Sequence, residues 1–480
     1  MQIDLHPKQS RAFQEPANEK LYGGSAGGGK SFLLRSVGLS LCSQIRRLQC
    51  YLFRRQSQDI IRNHFEGPGS FPDLLGPWMD RNFCRIVYSP NTIIRFANKA
   101  NVHVCHCQLE KHKYNYQGPE IHVLLIDELT HFTESIYRYL RARCRMPKND
   151  PEMWEDIRKL EEKLGFKLNF PLVFCGANPG GVGHNWVKAS WIDPLKPFEI
   201  KKMPKDEGGM LRQFIPAKLK DNPSLDPEEY ADKLAGLGNP ALVKAMLDGS
   251  WDIVAGGMFD DLWNPEVHIV DPFPIPKSWR VDRSFDWGSS KPFSVGWWAE
   301  SDGTDLKLKS GKIIPTVRGD LFRIAELYGW NGKPNEGCKL LAVEVARKIK
   351  KIEDRFPFKV NPGPADSSIW KEEDGPSISG NMQSAGIKWT KANKKPGSRA
   401  IGWELMRERL KGSVTREDPG LFIFNTCRHF IRTIPVLPRD ETKSDDINTD
   451  AEDHIADETR YRILTKIKRI KGGSVRGLGG

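Results

Sequence analysis

A glycine-rich run near the N-terminus carries the most specific chemical signal in the chain. Residues 24–31 follow the spacing G-x-x-x-x-G-K-[S/T], with an apolar strand pattern before them and an apolar-faced helix pattern after them. Glycines let backbone N–H groups surround phosphate oxygens, and the lysine reaches the β- and γ-phosphates. This context disfavours a chance glycine turn. We therefore expect ATP to be bound by Gly24, Ser25, Ala26, Gly27, Gly28, Gly29, Lys30 and Ser31, with Ser31 also a ligand of Mg²⁺.

Hydrolysis of a bound nucleotide also needs a carboxylate near the metal and a group that activates water. The apolar run 122–126 ends in Asp127 and Glu128. Asp127 is predicted to orient the Mg²⁺ shell, and Glu128 is predicted to polarise the attacking water. The alternative is a buried strand followed by the acidic start of a helix.

Two amides are further candidates for nucleotide contacts. Gln9 lies upstream of the glycine-rich run and could read the adenine edge, although a surface glutamine at a helix start is the plain alternative. Asn178 follows another buried strand pattern and could sense the γ-phosphate, although Asn-Pro-Gly-Gly is also good turn chemistry. Phosphoryl transfer usually needs an arginine as well, and the glycine-rich run has none. The candidates elsewhere are Arg54, Arg55, Arg141, Arg143 and Arg145.

A second set of acids lies in the C-terminal half. A two-metal nuclease needs several carboxylates that converge on two cations, and carboxylates suit Mg²⁺ or Mn²⁺. Asp286 ends a strand pattern, Asp366 lies at a strand-to-helix transition, and Asp453 and Asp457 are one helical turn apart. Each has a structural alternative, respectively a turn, a helix cap and, for Asp457, an ion pair.

These residues need two α/β frameworks to position them. Residues 1–180 alternate strand and helix patterns, as in a doubly wound sheet. Residues 221–257 carry turn signals and a short helical pattern at 241–247, which predicts a small lid or linker. Four prolines between 262 and 279 predict a connection, and a second α/β pattern starts at Trp279. The predicted domains are 1–220, 221–278 and 279–470, with a disordered tail at 471–480.

Bulk composition narrows the class of protein. The 480 residues carry a formal net charge of +12, which favours a polyanionic partner. No apolar run is long enough for a bilayer, no signal pattern begins the chain, and the nine cysteines lack framework spacing. A cytoplasmic protein without a membrane partner is expected.

Together these motifs resemble those of tailed-bacteriophage terminase large subunits. The resemblance includes Gln9, the glycine-rich run, the sequence 116–118 leading into 125–128, and Ala177-Asn178-Pro179. It continues through the sequences 220–223, 247–252 and 257–259, which are similar to that family's passage from motor to nuclease. It covers nearly the whole chain except the tail.

The resemblance implies a specific architecture and activity. The N-terminal region would be a RecA/ASCE-type P-loop ATPase with a small helical lid, and the C-terminal region a ribonuclease H-like nuclease. The resemblance assigns Asp286, Asp366 and Asp457 to the nuclease metal site. From their positions in the sequence, Asp453 and His454 are candidate auxiliaries, and Glu326 is a weaker candidate whose alternative is a plain strand-end acid. ATP hydrolysis would drive double-stranded DNA into a procapsid, and the nuclease would cut concatemeric DNA at initiation and termination.

The family also implies partners and a location. The expected partners are double-stranded DNA, the terminase small subunit and the portal protein, with a ring, a pentamer, formed on docking. The expected location is the host cytoplasm rather than the virion. Many members carry an arginine within the phosphate loop, whereas Ser25 and Ala26 occupy that region here. An arginine from a neighbouring subunit is therefore expected.

Two other classes of function remain as alternatives. A helicase-nuclease of DNA repair would share the ATPase core, but it needs a second RecA-like domain, and no second phosphate loop follows residue 220. A DNA-binding adaptor without catalysis would use the positive charge but would leave the phosphate and acid motifs unexplained.

Overall fold

The computed structural model describes residues 4–465, apart from residues 26, 237–242, 244–246, 253–255, 308–310, 312, 373–374, 441 and 444. The described chain forms two compact units. The first comprises residues 4–261 with 435–440 and 447–452, and the second comprises the remaining described residues. The division after Asp261 falls inside the segment 221–278 that the sequence predicts to be a lid or linker. None of the described helices combines the length and apolar character of a membrane-spanning segment.

The first unit is built on a nine-stranded sheet in the order β3-β4-β5-β2-β6-β7-β1-β9-β8. The six strands from β5 to β9 in that order are parallel, and the pairs at the two edges are antiparallel. The strands are β1 (Glu19–Gly24), β2 (Gln49–Arg54), β3 (Cys84–Val87), β4 (Ile93–Phe96), β5 (Asn101–His106), β6 (Val123–Asp127), β7 (Leu172–Ala177), β8 (Ile200–Lys202) and β9 (Leu211–Ala217).

Helices cover both faces of this sheet, which explains why the residues of its central strands are almost all buried. The helices are α1 (Pro7–Gln14), α2 (Lys30–Gln44), α3 (Ser57–Ile60), α4 (Phe71–Met79), α5 (Glu134–Arg141), α6 (Pro151–Leu164), α7 (His184–Val187) and α8 (Pro227–Ala235). Leu33 and Val37 of α2 belong to one core, and Ile136 and Leu140 of α5 belong to the other. Strand β7 lies between β1 and β6, as a RecA/ASCE-type sheet requires.

Helix α6 is polar over most of its surface, but one side of it attaches the helix to the domain. Its Met153, Ile157 and Leu160 are buried in a core. An apolar stripe of three residues in an otherwise charged helix is enough to attach it to the domain.

The second unit is built on a seven-stranded mixed sheet in the order β10-β18-β15-β12-β11-β16-β17. Strands β11, β12 and β15 are antiparallel neighbours, and β16 is parallel to β11. This central order is that of a ribonuclease H-like sheet, and it is not a second RecA-like sheet. The strands are β10 (Ile269–Val270), β11 (Arg280–Asp286), β12 (Ser294–Glu300), β13 (Leu306–Lys307), β14 (Ile313–Ile314), β15 (Leu321–Tyr328), β16 (Pro364–Ala365), β17 (Thr390–Lys391) and β18 (Leu421–Phe424), with β13 and β14 in a separate hairpin.

The last described helix crosses this sheet and carries acids to it. The helices are α9 (Pro265–His268), α10 (Ala342–Glu353), α11 (Ile378–Ser384), α12 (Ser398–Thr415), α13 (Arg428–Thr433) and α14 (His454–Ile463). Glu458 of α14 is fully buried and pairs with Arg323 of β15 at 2.5 Å. Ser284, Ser294 and Trp298 also donate hydrogen bonds to Glu458. This network fixes the side of α14 that faces the strands.

Two expectations fall outside the part of the chain that the structure describes. They are the tail 471–480 and most of the helical pattern at 241–247.

Candidate active sites

The phosphate loop connects β1 to α2 at the carboxyl edge of the first sheet. Gly24, Gly27 and Gly29 all have positive φ, a conformation that favours glycine. Lys30 is buried at the start of α2, and its ammonium donates to the carbonyl oxygen of Ser25 at 2.6 Å. Burial lowers the pKa of Lys30 to about 8, although Asp127 and Glu128 act in the opposite direction.

Strand β6 brings Asp127 to the same edge. The Ser31 hydroxyl donates to the two Asp127 carboxylate oxygens at 3.1 and 2.9 Å. Parallel strands end at a common edge, and this is why residues 96 positions apart meet. The two predicted Mg²⁺ ligands of the ATPase thus lie together.

Asp127 is also surrounded by cations. Arg54, at the end of β2, donates to it from Nε at 3.0 Å, and Nε2 of His64 lies 3.2 Å from the same oxygen. Burial alone would raise the pKa of Asp127, but His64, Arg54 and Ser31 lower it on balance. The carboxylate is therefore held in its charged form. His64 was not identified from the sequence.

Glu128 shares Arg54 with Asp127. Its carboxylate accepts from Nη2 of Arg54 at 2.7 Å, and His131 Nδ1 lies 3.0 Å from the other oxygen. Glu128 adopts φ of 61°, a left-handed backbone that is uncommon for a non-glycine residue. Such strained residues often cluster at active sites.

The other predicted nucleotide contacts are placed as follows. Gln9 is buried, donates to the carbonyl oxygen of Gly29 at 3.0 Å and accepts from the backbone of His6 at 2.9 Å. Its amide thus already has partners on the loop and on its own helix. Asn178 follows β7, and its buried Oδ1 has no hydrogen-bond partner among the described residues. Ala26 lies outside the described residues.

Segments from the predicted lid region pack on the phosphate loop. Ser25 donates to the carbonyl oxygen of Leu247 at 3.0 Å, and Asn222 donates to that of Gly27 at 2.5 Å. Gly249 has φ of +69°, and a Cβ added there would lie 2.9 Å from the Ser25 amide nitrogen. A larger residue at 249 would therefore displace the loop backbone.

The five arginines that are candidates for assisting phosphoryl transfer differ in environment. Arg141 is buried and pairs with the fully buried Glu19 at 2.8 Å, so it stabilises the core of the first unit. Arg54 contacts the two acids described above, and Arg143 donates to the carbonyl oxygen of Gln117. Arg145 is exposed and pairs with Glu120, and Arg55 is largely buried.

The second unit brings its predicted acids together around Tyr461. Asp286 ends β11, Asp366 follows β16, and the Tyr461 hydroxyl of α14 lies 3.4 Å from a carboxylate oxygen of each. Asp457 lies one turn before Tyr461 on the same helix. Strands β11 and β16 are parallel neighbours, and both therefore deliver their acids to one edge.

The electrostatics of these acids indicate close packing of negative charge. Burial, together with Asp457 and Asp366, raises the pKa of Asp286 to about 6, although His454 lowers it. His454 Nδ1 lies 3.4 Å from Asp286. Burial and the charge of Asp457 likewise raise the pKa of Asp453 to about 7.

Basic side chains from elsewhere neutralise the remaining acids. Asp457 accepts from Arg399 at 3.2 Å and from Arg460 at 2.9 Å. Lys394 donates to Asp366 at 2.7 Å, and although burial opposes it, this contact lowers the pKa of Asp366 on balance. Among the described residues, no three His, Cys, Asp or Glu side chains stand ready as ligands of a metal ion. The donor chemistry suits a hard divalent cation, which would have to displace these basic partners.

Two further acids of the second unit have defined hydrogen-bond partners. Glu326 accepts the backbone N–H groups of His429 at 2.6 Å and Phe430 at 3.1 Å, as a cap for α13. The role of Glu326 as a weaker metal ligand stays a prediction. Asp446 accepts hydrogen bonds from Arg399 at 2.7 Å and from Trp403 at 2.8 Å. It helps to fix the arginine that holds Asp457.

Solved structures similar to the chain are large terminases of bacteriophages. One, from a thermophilic bacteriophage and in complex with ADP, is 16% identical, with 96% of this chain and 99% of that chain covered and a TM-score of 0.39. The HK97 bacteriophage large terminase is 10% identical over 96% of this chain and 95% of that chain, with a TM-score of 0.38. A large-terminase nuclease from a thermophilic phage, with bound cobalt, is 10% identical over 44% of this chain and 97% of that chain, with a TM-score of 0.28.

Sequence comparisons add nothing to these likenesses. No family model and no curated protein matches the chain. The structural matches agree with the resemblance seen in the sequence, but their TM-scores lie below 0.5.

Proposed function

We propose that this chain is the large subunit of a phage terminase, an ATPase that moves double-stranded DNA and a nuclease that cuts it. One observation supports this proposal above all. Lys30, Ser31 and Asp127 meet at the edge of one sheet, and Asp286 and Asp366 meet on Tyr461 at the edge of another. Two separate phosphate chemistries on one basic chain fit a packaging enzyme better than a repair helicase.

In the ATPase, the chain's own residues bind the nucleotide and orient the water. Backbone amides of residues 24–29 and Lys30 would hold the phosphates, with Gln9 and Asn178 as further contacts. Ser31 and Asp127 would hold Mg²⁺, which supplies charge neutralisation at the phosphates when bound. Glu128 would orient water after leaving Arg54 or His131, the residues that occupy its two oxygens.

In the nuclease, Asp286, Asp366 and Asp457 would hold Mg²⁺ or Mn²⁺, and Asp453 stands beside them. The bound cations would activate water and neutralise the scissile phosphate. Arg399 and Lys394 hold Asp457 and Asp366 in place before a metal binds. His454, which lies beside Asp286, would orient that carboxylate.

The partners follow from the proposed activity. They are double-stranded DNA, a terminase small subunit and the portal of a procapsid, on which the subunits would form a pentameric ring in the host cytoplasm. Arg54 lies within the chain's own site and Arg145 is exposed at 57% of its side chain. Arg145 is therefore the better candidate for an arginine that reaches a neighbouring subunit.

Separation of the two activities tests this proposal. ATP hydrolysis and Mn²⁺-dependent DNA cleavage are measured in Lys30→Ala and Asp286→Ala. Lys30→Ala should abolish hydrolysis and retain cleavage, and Asp286→Ala should do the reverse. Lys111→Ala and Asp354→Ala change exposed residues of the same types in the same two units and should retain both activities. Loss of both activities in either variant, if the variant is folded, would contradict the presence of two independent active sites.

A further inference from the structure

One edge of the first sheet carries an open basic surface that the ATPase chemistry does not use. A cavity of about 490 Å³ opens on the face of β3, β4 and β5. Its lining includes Arg85, Arg95, Lys99, His103 and Asn101, and it includes no acidic residue. The three cations Arg85, Arg95 and Lys99 are exposed. We call them the basic edge.

The basic edge contains an unfavourable pair of like charges. Arg85 of β3 and Arg95 of β4 lie directly opposite each other in an antiparallel register. Like charges in this position destabilise a sheet. Within the part of the chain that the structure describes, Arg85, Arg95 and Lys99 form no ion pair. Other arginines of this unit, such as Arg46 and Arg47, pair with acids at 2.7 Å.

Protection of the sheet edge explains only part of this arrangement. Charged residues on an edge strand prevent pairing with other chains. Arg85 is on the edge strand β3, but Arg95 is on the next strand and Lys99 lies between β4 and β5. An external polyanion would relieve the repulsion at all three positions.

We infer that the basic edge binds the phosphate backbone of double-stranded DNA. This inference rests on the proposed function. Arg85 and Arg95 lie on neighbouring strands about 5 Å apart, and Lys99 lies in the turn that follows β4, so one surface can contact successive phosphates. The aromatic side chains of the lining do not favour stacking of unpaired bases: Phe96 is buried, and His103 stacks on Tyr51 at 4.2 Å. Duplex DNA is therefore a better fit than a single strand.

The salt dependence of DNA affinity tests this inference in the full chain. The logarithm of DNA affinity falls linearly with the logarithm of salt concentration, and each lost phosphate contact makes this slope less steep by about 0.9. For a duplex of fixed length, the slope should become less steep by about 2 to 3 in the triple variant Arg85→Gln, Arg95→Gln, Lys99→Gln. The ratio of the duplex affinity of the unmodified protein to that of the triple variant should then fall by about 40-fold between 50 and 200 mM salt.

A matched control lies at the opposite edge of the same sheet. Lys201, Lys202 and Lys205 are exposed on and after β8, and Lys201→Gln, Lys202→Gln, Lys205→Gln removes the same charge. This control should retain the slope of the unmodified protein. ATP hydrolysis without DNA should be retained in both triple variants, because neither changes the nucleotide site.

The possible results separate the inference from the function on which it rests. A duplex slope unchanged in the basic-edge variant, or lowered equally in the control, would overturn the basic edge as a DNA surface while leaving the terminase proposal intact. The same holds if the variant loses affinity only for a single strand of equal length. If the unmodified protein fails to bind duplex DNA, the proposed function and the inference fall together.

Discussion

The pH dependence of ATP binding should report the burial of Lys30. The buried ammonium has a pKa of about 8 in the nucleotide-free protein. It must be charged to hold the triphosphate, whose own ionisations are complete near pH 7. Since the charged form is lost as pH rises through this pKa, affinity for ATP should fall above pH 8.

The size of the effect follows from the fraction of charged lysine. That fraction is about 91% at pH 7 and about 9% at pH 9 for a pKa near 8. The dissociation constant of Mg²⁺·ATP should therefore rise about tenfold between these pH values, if bound phosphates keep Lys30 charged.

Equilibrium titration with a non-hydrolysable ATP analogue at pH 7, 8 and 9 measures this change. Lys30→Arg is the informative comparison, because a guanidinium stays charged across this range and its affinity should be independent of pH. The reasoning would be refuted by a flat profile for the unmodified protein, or by an equally steep profile for Lys30→Arg.

Three further predictions concern the catalytic glutamate, its arginine and the nuclease core. Glu128→Gln should bind ATP but hydrolyse it at least about 100-fold more slowly. An unchanged rate of hydrolysis in a single-turnover assay would show that Glu128 does not orient the attacking water. Arg54→Gln should lower kcat by about tenfold with little change in KM, because Arg54 contacts the acids and not the nucleotide loop; a rise in KM alone would contradict this. Glu458→Ala should destabilise the second unit by about 3–5 kcal/mol, because Arg323 would remain buried without its partner. Urea unfolding measures this loss of stability. As a control, Glu404→Ala changes an exposed glutamate and should shift the free energy of unfolding by less than about 0.5 kcal/mol. Equal stability of the two variants would refute the role given to the Glu458–Arg323 pair.

The sequence predicts the elements of both sites because their signals are local. The phosphate loop, the strand that ends in Asp127 and the strand that ends in Asp286 are each marked by a few adjacent residues. The structure forms β1, β6 and β11 at these places. Apolar runs and glycine spacing determine such elements without reference to the rest of the chain.

The partners of the catalytic acids are less predictable, because they depend on strand order. Arg54 reaches Asp127 only because β2 pairs with β6, although 73 residues separate them. Arg399 and Lys394 come from segments with no motif of their own. Glu326 illustrates a related difficulty. In the sequence, an acid at a strand end resembles a metal ligand, whereas the structure shows that its carboxylate accepts a backbone N–H group of helix α13.

Anomalous scattering from bound Mn²⁺, in a crystal grown with an ATP analogue, shows whether this one chain holds two separate metal sites. The account predicts one manganese position beside Ser31 and Asp127, and manganese among Asp286, Asp366 and Asp457 after Arg399 or Lys394 has moved aside. Manganese at the first position, with none among the three acids at saturating concentration, would contradict the nuclease half of the account.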